Sequence, residues 1–182
     1  IIPGGFGITG IETMIEVIQV LREKKIPTLG ICLGMQLMVI EFCRNCLQME
    51  NAGSSEFGDH SPNVITKMKQ WENSNYGGTM RLGSADIQLT NKSEINKIYN
   101  NKIISERHRH RYDVNNIFSL ELERNRFHIT GRCLEHNLVE VVELNKEIHP
   151  WYIGVQYHPE YQSSPFKSHP LFSSFIGSII EI

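Results

Sequence analysis

The chain has 182 residues, of which 40% are hydrophobic and 21% charged, and its formal net charge is −2. This composition is typical of an ordinary globular domain and excludes a disordered, collagen-like or coiled-coil chain. The near-neutral charge gives no general electrostatic reason to bind nucleic acid or a membrane surface, and no apolar run approaches the length that a bilayer requires. We therefore expect a soluble protein with no nucleic-acid partner and no membrane association.

The cysteines and the first residues indicate where the chain works and how complete it is. The four cysteines are too few and too unevenly spaced for a disulfide framework, and no secretory leader precedes them: Cys32, Cys43, Cys46 and Cys133. This predicts a cytoplasmic location. Residues 1–5 resemble the end of a buried strand that runs into a glycine turn, so we expect a fragment of a longer chain.

The first predicted elements alternate between helix and strand. Apolar residues recur at helical spacing from Ile11 to Leu21, a short apolar strand follows at 27–32, and a buried helix follows at 35–47. This order favours a parallel α/β sheet. The polar segment 51–75 is predicted to be surface loop, apart from a possible strand at Val64 and Ile65.

The second half of the chain has the pattern of several strands with few helices. Strands are predicted at 79–90, 106–114, 127–133, 138–144 and 151–157, and short helices near 93–98 and 116–124. The segment 169–182 carries apolar residues at helical spacing and is predicted to pack back on the sheet. We find no internal repeat and no second domain.

A G-x-C-x-G motif spans Gly30 to Gly34, where a predicted strand meets a predicted helix. This is the cysteine form of a nucleophile elbow, in which a tight turn exposes the central side chain above the sheet edge. The helix N-terminus lowers the pKa of a thiol there, and its free N–H groups can hold an oxyanion. The alternative is a buried cysteine between two packing glycines.

A second motif, His158-Pro159-Glu160, directly follows the predicted strand 151–157. A cysteine nucleophile needs a base to take its proton, and the base needs a carboxylate to fix its tautomer. One loop supplies both groups here. A histidine followed by a glutamate is by itself usually a surface feature, so the prediction depends on the combination with the elbow.

Six blocks together resemble the class I (triad) glutamine amidotransferases, and within them the glutaminase domains of the CTP synthase family. They are 3–7 (PGGFG), 30–36 (GICLGMQ), 55–57 (SEF), 77–83 (GGTMRLG), 106–112 (ERHRHRY) and 156–160 (QYHPE). The resemblance implies an α/β fold with a mainly parallel, flavodoxin-like or Rossmann-like three-layer sheet and some antiparallel strands. It also implies that 1–182 is a glutaminase domain, incomplete at its N-terminal side, with the family's amidoligase domain absent from this chain.

The resemblance implies hydrolysis of L-glutamine to glutamate and ammonia by the triad Cys32, His158 and Glu160. The N–H groups of Gly5 and Leu33 occupy the family's oxyanion-hole positions. The ammonia would pass to a synthetase domain that aminates UTP to CTP with ATP and Mg²⁺, while this domain itself would need no cofactor. The family also suggests a homo-oligomer, a tetramer, and GTP as an allosteric activator.

Free glutamine is a zwitterion, so a specific pocket needs one carboxylate and one guanidinium. Glu56 and Arg111 match the family positions with those roles, and Gln36 matches a further glutamine-binding position, although a helix-surface glutamine would be the ordinary interpretation.

Strand alternation over 106–112 puts three arginines on one face and the intervening residues on the other: Arg107, Arg109 and Arg111 against Glu106, His108, His110 and Tyr112. Arg107 and Arg109 are either a solvated face or contacts for a nucleotide phosphate. Phe6 is either a small hydrophobic plug or an aromatic face for a base. The family's activation by GTP favours effector contacts for all three.

Two alternatives for function and one for a metal remain open. The chain could be another triad amidotransferase or a γ-glutamyl hydrolase, or it could be a catalytically silent regulatory or filament-forming domain. Cys43 and Cys46 have CxxC spacing, but they fall within a predicted helix and have no second ligand pair, so we expect no metal site.

Overall fold

The computed structural model of the chain describes residues 1–58, 60–68 and 80–180. Three earlier predictions fall partly outside these ranges: the loop from 69 to 75, the first three residues of the GGTMRLG block with the start of its strand, and the last two residues of the closing helix. None of the helices within the described ranges is both long and apolar enough to cross a membrane.

The first three elements form the strand–helix junction on which the site is built. Helix α1 (Ile11–Glu23) buries Ile11, Ile15 and Ile18, as its apolar spacing predicted. Strand β1 (Thr28–Ile31) is buried along its whole length. Helix α2 (Leu33–Asn45) begins directly after Cys32 and is buried from Leu33 to Cys43, which confirms the predicted internal helix.

The other elements lie close to their predicted positions. They are β2 (Gly53–Ser54), β3 (Asn63–Lys67), β4 (Arg81–Leu89), α3 (Glu94–Tyr99), β5 (Ile103–His110), β6 (Tyr112–Val114), α4 (Ser119–Arg124), β7 (Phe127–Cys133), β8 (Val139–Leu144), β9 (Tyr152–Val155) and α5 (Pro170–Ile180). Short 3₁₀ helices cover Asn116–Phe118 and Pro159–Gln162. The predicted strand 106–114 is in fact two strands, because the chain leaves one sheet for another at Arg111.

The prediction of a surface loop over 51–75 is wrong for part of its length. Strands β2 and β3 pair in parallel, and β3 pairs with β6 in antiparallel register, which gives a three-stranded sheet. Ala52, Gly53 and Ser54 are buried, and Val64 and Ile65 pack in the same core as α2. Main-chain pairing orders this polar segment, so hydrophobic patterning alone did not indicate it.

The large sheet has six strands in the order β1-β9-β8-β7-β4-β5. In the described residues its parallel pairings are β1 with β9 and the bridge between Ile2 and Gly30, and the others are antiparallel. The antiparallel share is therefore larger than the expected mainly parallel sheet. The connections 134–138 and 145–151 are short and carry no crossover helix, which favours antiparallel neighbours.

Helices cover both faces of this sheet, so the predicted three-layer α/β architecture is confirmed. Neighbouring residues of one strand point to opposite layers: Tyr152 of β9 packs with α1 and α2, whereas Ile153 packs with α3 and α5. Strand β1 lies at one edge of the sheet and β5 at the other. The catalytic candidates come from the C-terminal ends of β1 and β9, which pair in parallel and therefore end together.

Candidate active site

Cys32 lies at a sharp turn between β1 and α2, with φ 52° and ψ −106°, a backbone conformation that a side chain other than glycine seldom adopts. The flanking glycines are required by close backbone approach. A Cβ on Gly30 would lie 2.2 Å from Met38 Sδ, and one on Gly34 would lie 2.2 Å from the carbonyl oxygen of Ile2. The G-x-C-x-G spacing therefore encodes an elbow that only these glycines permit.

The sulfur of Cys32 is less accessible than the elbow motif suggested. The residue is 3% exposed, and burial raises the pKa of its thiol to about 12. The N–H of Leu33 lowers the pKa of Cys32, and the charges of Glu160, Glu56 and Asp113 raise it. The expected exposed thiol with a lowered pKa is thus wrong for this structure, because desolvation outweighs the helix N-terminus.

Two neighbours contact the sulfur. Cys32 Sγ donates to the carbonyl oxygen of Arg109 at 3.8 Å, and Gln156 Nε2 donates to Sγ at 3.6 Å. Gln156 belonged to one of the resembling blocks, but sequence reasoning gave it no role. Its position was a usable signal, because it follows β9 directly and strand ends are where this fold gathers its polar side chains.

His158 and Glu160 form the pair that their spacing predicts. His158 Nδ1 lies 2.6 Å from Glu160 Oε1, which places the ring proton on Nδ1 and leaves Nε2 as an acceptor. Within the described residues, Nε2 is buried without a hydrogen-bond partner. The ring stacks on Tyr161 with a centroid separation of 4.8 Å, so its orientation is fixed from two sides.

Gly4 lies between the histidine and the cysteine. A Cβ on Gly4 would be 3.0 Å from His158 Cε1 and 3.4 Å from Cys32 Cβ. The structure therefore brings Cys32 and His158 to the two sides of one glycine. The loop that carries His158 is attached to the edge strand, because the N–H of His158 donates to the carbonyl of Arg107 at 2.8 Å and Gln162 Nε2 donates to the carbonyl of Ser105 at 2.9 Å.

A narrow pocket with an empty volume of about 200 Å³ opens beside Cys32. It gathers all the residues predicted to bind glutamine, together with Cys32 and Phe6, and adds His110 and Tyr112, which sequence reasoning did not select. The lining residues are Gly5, Phe6, Cys32, Leu33, Gln36, Glu56, His110, Arg111 and Tyr112. His158, Glu160, Arg107 and Arg109 lie outside this lining.

One carboxylate and one guanidinium line this pocket. Glu56 is half-buried and accepts a hydrogen bond from the N–H of Gly7 at 3.3 Å. Burial raises the pKa of Glu56, while the Gly7 N–H and the charge of Arg111 lower it. Arg111 is exposed at the junction of β5 and β6. Opposite charges at one pocket fit a zwitterionic ligand.

The predicted alternation along β5 is confirmed. Its three arginines are exposed, and the residues between them are buried: Arg107, Arg109 and Arg111 against Glu106, His108 and His110. The guanidinium of Arg109 lies over the ring of Phe6, 5.6 Å from its centroid, a cation–π contact. Two of the three residues predicted to contact the effector are therefore neighbours.

The remaining cysteines lie away from this pocket. Cys43 packs inside the core on α2, Cys46 follows the end of α2, and Cys133 ends β7. No group of three or more His, Cys, Asp and Glu side chains in the described ranges is placed to hold a metal ion.

Residues 1–178 match the family described as glutamine amidotransferase class-I. The chain therefore belongs to the class I glutamine amidotransferases. A solved structure described as the Trypanosoma brucei CTPS glutaminase domain with bound acivicin superposes with a TM-score of 0.88 at 34% identity, covering 98% of this chain and 69% of that one. Within its class, the chain belongs with the glutaminase domains of CTP synthases.

Curated relatives agree with this placement. The CTP synthases of Pelagibacter ubique and Desulfitobacterium hafniense are each 48% identical to this chain, over 97% and 99% of its length. The chain spans 34% of the length of each of these relatives. A glutamine amidotransferase from Thermotoga maritima, 14% identical with a TM-score of 0.56, shares the fold.

Proposed function

We propose that this chain hydrolyses L-glutamine to glutamate and ammonia through a γ-glutamyl thioester on Cys32. The observation that carries the proposal is the pocket itself. It has a cysteine at a strained elbow, a carboxylate and a guanidinium for a zwitterion, and a carboxylate-oriented histidine behind Gly4.

The thiol is neutral at rest, so the reaction begins with a proton transfer. Bound glutamine places its amide carbon at Sγ, and His158 Nε2 accepts the thiol proton as the sulfur attacks that carbon. Glu160 stabilises the imidazolium through the short bond to Nδ1. The N–H groups of Gly5 and Leu33 hold the tetrahedral oxyanion.

The second half of the reaction reverses the role of the histidine. His158 gives its Nε2 proton to the departing amine, which leaves as ammonia, and the acyl group stays on sulfur as a thioester. Water then attacks the thioester while His158 takes a proton from it, and collapse of the second tetrahedral adduct releases glutamate and returns the proton to Cys32. Glu56 binds the substrate ammonium, and Gln36 and Arg111 complete the pocket.

We further propose that the chain is the C-terminal glutaminase part of a longer cytoplasmic protein, preceded by an amidoligase domain. That domain uses ATP, UTP and Mg²⁺ and receives the ammonia to form CTP, and the whole protein is a homo-oligomer, a tetramer. The names of the curated relatives and the share of their length that the chain spans support this proposal. Phe6, Arg107 and Arg109 contact the activator GTP, and the stacking of Arg109 on Phe6 supports a base-binding surface there.

Replacing the nucleophile in the full-length protein tests the function. Cys32→Ser should abolish glutamate release and glutamine-dependent CTP formation, and it should leave CTP formation from free ammonia intact, because only ammonia generation needs the thiolate. Cys46→Ala, at a half-buried cysteine away from the pocket, should retain both activities. Equal loss of both activities in Cys32→Ser would remove the assignment, and a wild-type protein that releases no glutamate would favour the silent regulatory domain.

A further inference from the structure

A chain of side-chain amides leads from the main chain of β6 to the sulfur of Cys32. Gln36 Nε2 donates to the carbonyl oxygen of Tyr112 at 2.9 Å and to Gln156 Oε1 at 3.0 Å. Gln156 Nε2 in turn donates to Cys32 Sγ at 3.6 Å. Gln36 is 3% exposed and Gln156 is fully buried, so neither amide exchanges its partners with bulk water.

The orientation of both amides follows from the first link. A main-chain carbonyl only accepts, so the Gln36 atom beside Tyr112 O is the NH₂ group. The same nitrogen faces Gln156, which must therefore present its oxygen. The Gln156 nitrogen is then left to face the sulfur. His110 Nδ1, 2.9 Å from the same carbonyl, holds the anchor from the other side.

The sulfur is in surroundings that oppose a negative charge. It is buried, and the carboxylates of Glu160, Glu56 and Asp113 add a repulsion that the N–H of Leu33 only partly offsets. His158 faces it across Gly4. A donor with a fixed N–H is worth more to an anion than to a neutral thiol, because hydrogen bonds to charged groups are roughly twice as strong as neutral ones.

We propose that Gln36 and Gln156 form an amide relay, anchored on the Tyr112 carbonyl, that holds an N–H of Gln156 against Cys32 and stabilises the anionic sulfur. Gln156 contacts the reacting atom and is a catalytic residue, whereas Gln36 is a positioning residue that acts through it. The proposal rests on the proposed role of Cys32 as the nucleophile. It also gives the buried nitrogen of Gln36 a use that glutamine binding does not require.

Alkylation of Cys32 by iodoacetamide in the full-length protein, followed by peptide mass mapping between pH 7 and pH 9, tests the relay without using the glutamine pocket. Only the thiolate reacts, so the rate at a given pH reports the thiolate fraction. Gln156→Met, which has similar size and no donor, should lower the rate about tenfold, since one pKa unit is tenfold. Gln156→Glu, which replaces the donor by a carboxylate oxygen, should lower it further.

Gln36→Glu tests the positioning role, because the Gln156 amide can then turn its oxygen to the sulfur. It should slow alkylation although residue 36 does not touch Sγ, and the effect should vanish in a Gln156→Met background. Additive effects in this double-mutant cycle would mean that Gln36 acts through packing alone and would overturn the relay. Gln88→Met, at an exposed glutamine on β4, should leave the rate unchanged.

Two further measurements make every outcome decisive. Thermal unfolding identifies a variant that has lost its fold, and if Gln156→Met does so, the isosteric Gln156→Glu decides in its place. Folded Gln156 variants with wild-type alkylation rates would overturn the relay. The proposed function fails separately, if Cys32→Ser still hydrolyses glutamine, and that result leaves the alkylation test of the relay valid.

Discussion

Gly34→Ala should disrupt the elbow from its far side. The new methyl group would lie 2.2 Å from the carbonyl oxygen of Ile2, about 1.2 Å inside the 3.4 Å at which ordinary contact begins. That oxygen accepts from the N–H of Ile31 at 2.9 Å, and the N–H of Ile2 donates to Leu29 at 2.8 Å. The N-terminal segment must therefore move away from β1.

The cost follows from these contacts. Overpacking of this kind costs about 1 to 3 kcal/mol, and two weakened hydrogen bonds at about 1 kcal/mol each bring the loss of unfolding free energy to about 3 to 5 kcal/mol. The same movement displaces the segment that leads from Ile2 to Gly5, so glutamine hydrolysis should fall as well. Urea unfolding followed by circular dichroism measures the first effect, and glutamate release measures the second.

Gly177→Ala is the matched control. Gly177 lies within α5, and an added Cβ there would meet nothing within 4 Å. The change should be neutral or stabilise the protein by up to about 1 kcal/mol, because alanine favours a helix over glycine. An unfolding midpoint for Gly34→Ala equal to that of the control would refute the steric argument for the elbow.

Three other changes test the pocket and its surroundings. Gly4→Ala should lower glutamine hydrolysis about tenfold by displacing His158, with a change in stability below about 1 kcal/mol; a fully active variant would contradict the packing at Gly4. Glu56→Gln and Arg111→Ala should each lower kcat/KM for glutamine by about 2 kcal/mol of transition-state stabilisation, and unchanged kinetics in both would remove them from the pocket. Burial raises the pKa of Asp113 well above its usual value, so the unfolded state loses its proton first and stability falls as pH rises above about pH 4. Asp113→Asn should therefore be the more stable protein in urea unfolding at pH 8, with the advantage disappearing below about pH 4, and a constant difference across pH would contradict this origin.

Sequence reasoning reached the features that depend on local geometry. The elbow at Cys32 follows from two glycines with specific steric neighbours, and the exposed arginines of β5 follow from the two-residue period of a strand. The relation of His158 to Glu160 is equally local, because both residues lie on one loop.

What sequence reasoning missed depends on contacts between distant segments. The thiol of Cys32 is buried by elements that come together only in the folded chain, so the helix N-terminus was an incomplete guide to its pKa. Gln156 reaches the sulfur from a residue 124 positions away. The three-stranded sheet arises from pairing between β3 and β6, which no hydrophobic pattern in either segment indicates.

The attachment of the histidine loop to β5 also bears on aggregation. Strand β5 is the last strand of its sheet, and an unpaired edge is a template on which another chain can add a strand. The main-chain N–H of His158 and the side chain of Gln162 occupy two carbonyls of that edge, at Arg107 and Ser105. The loop that carries the catalytic base thus also blocks edge-to-edge association, and selection for monodisperse behaviour in a crowded cell acts on the same residues as selection for catalysis.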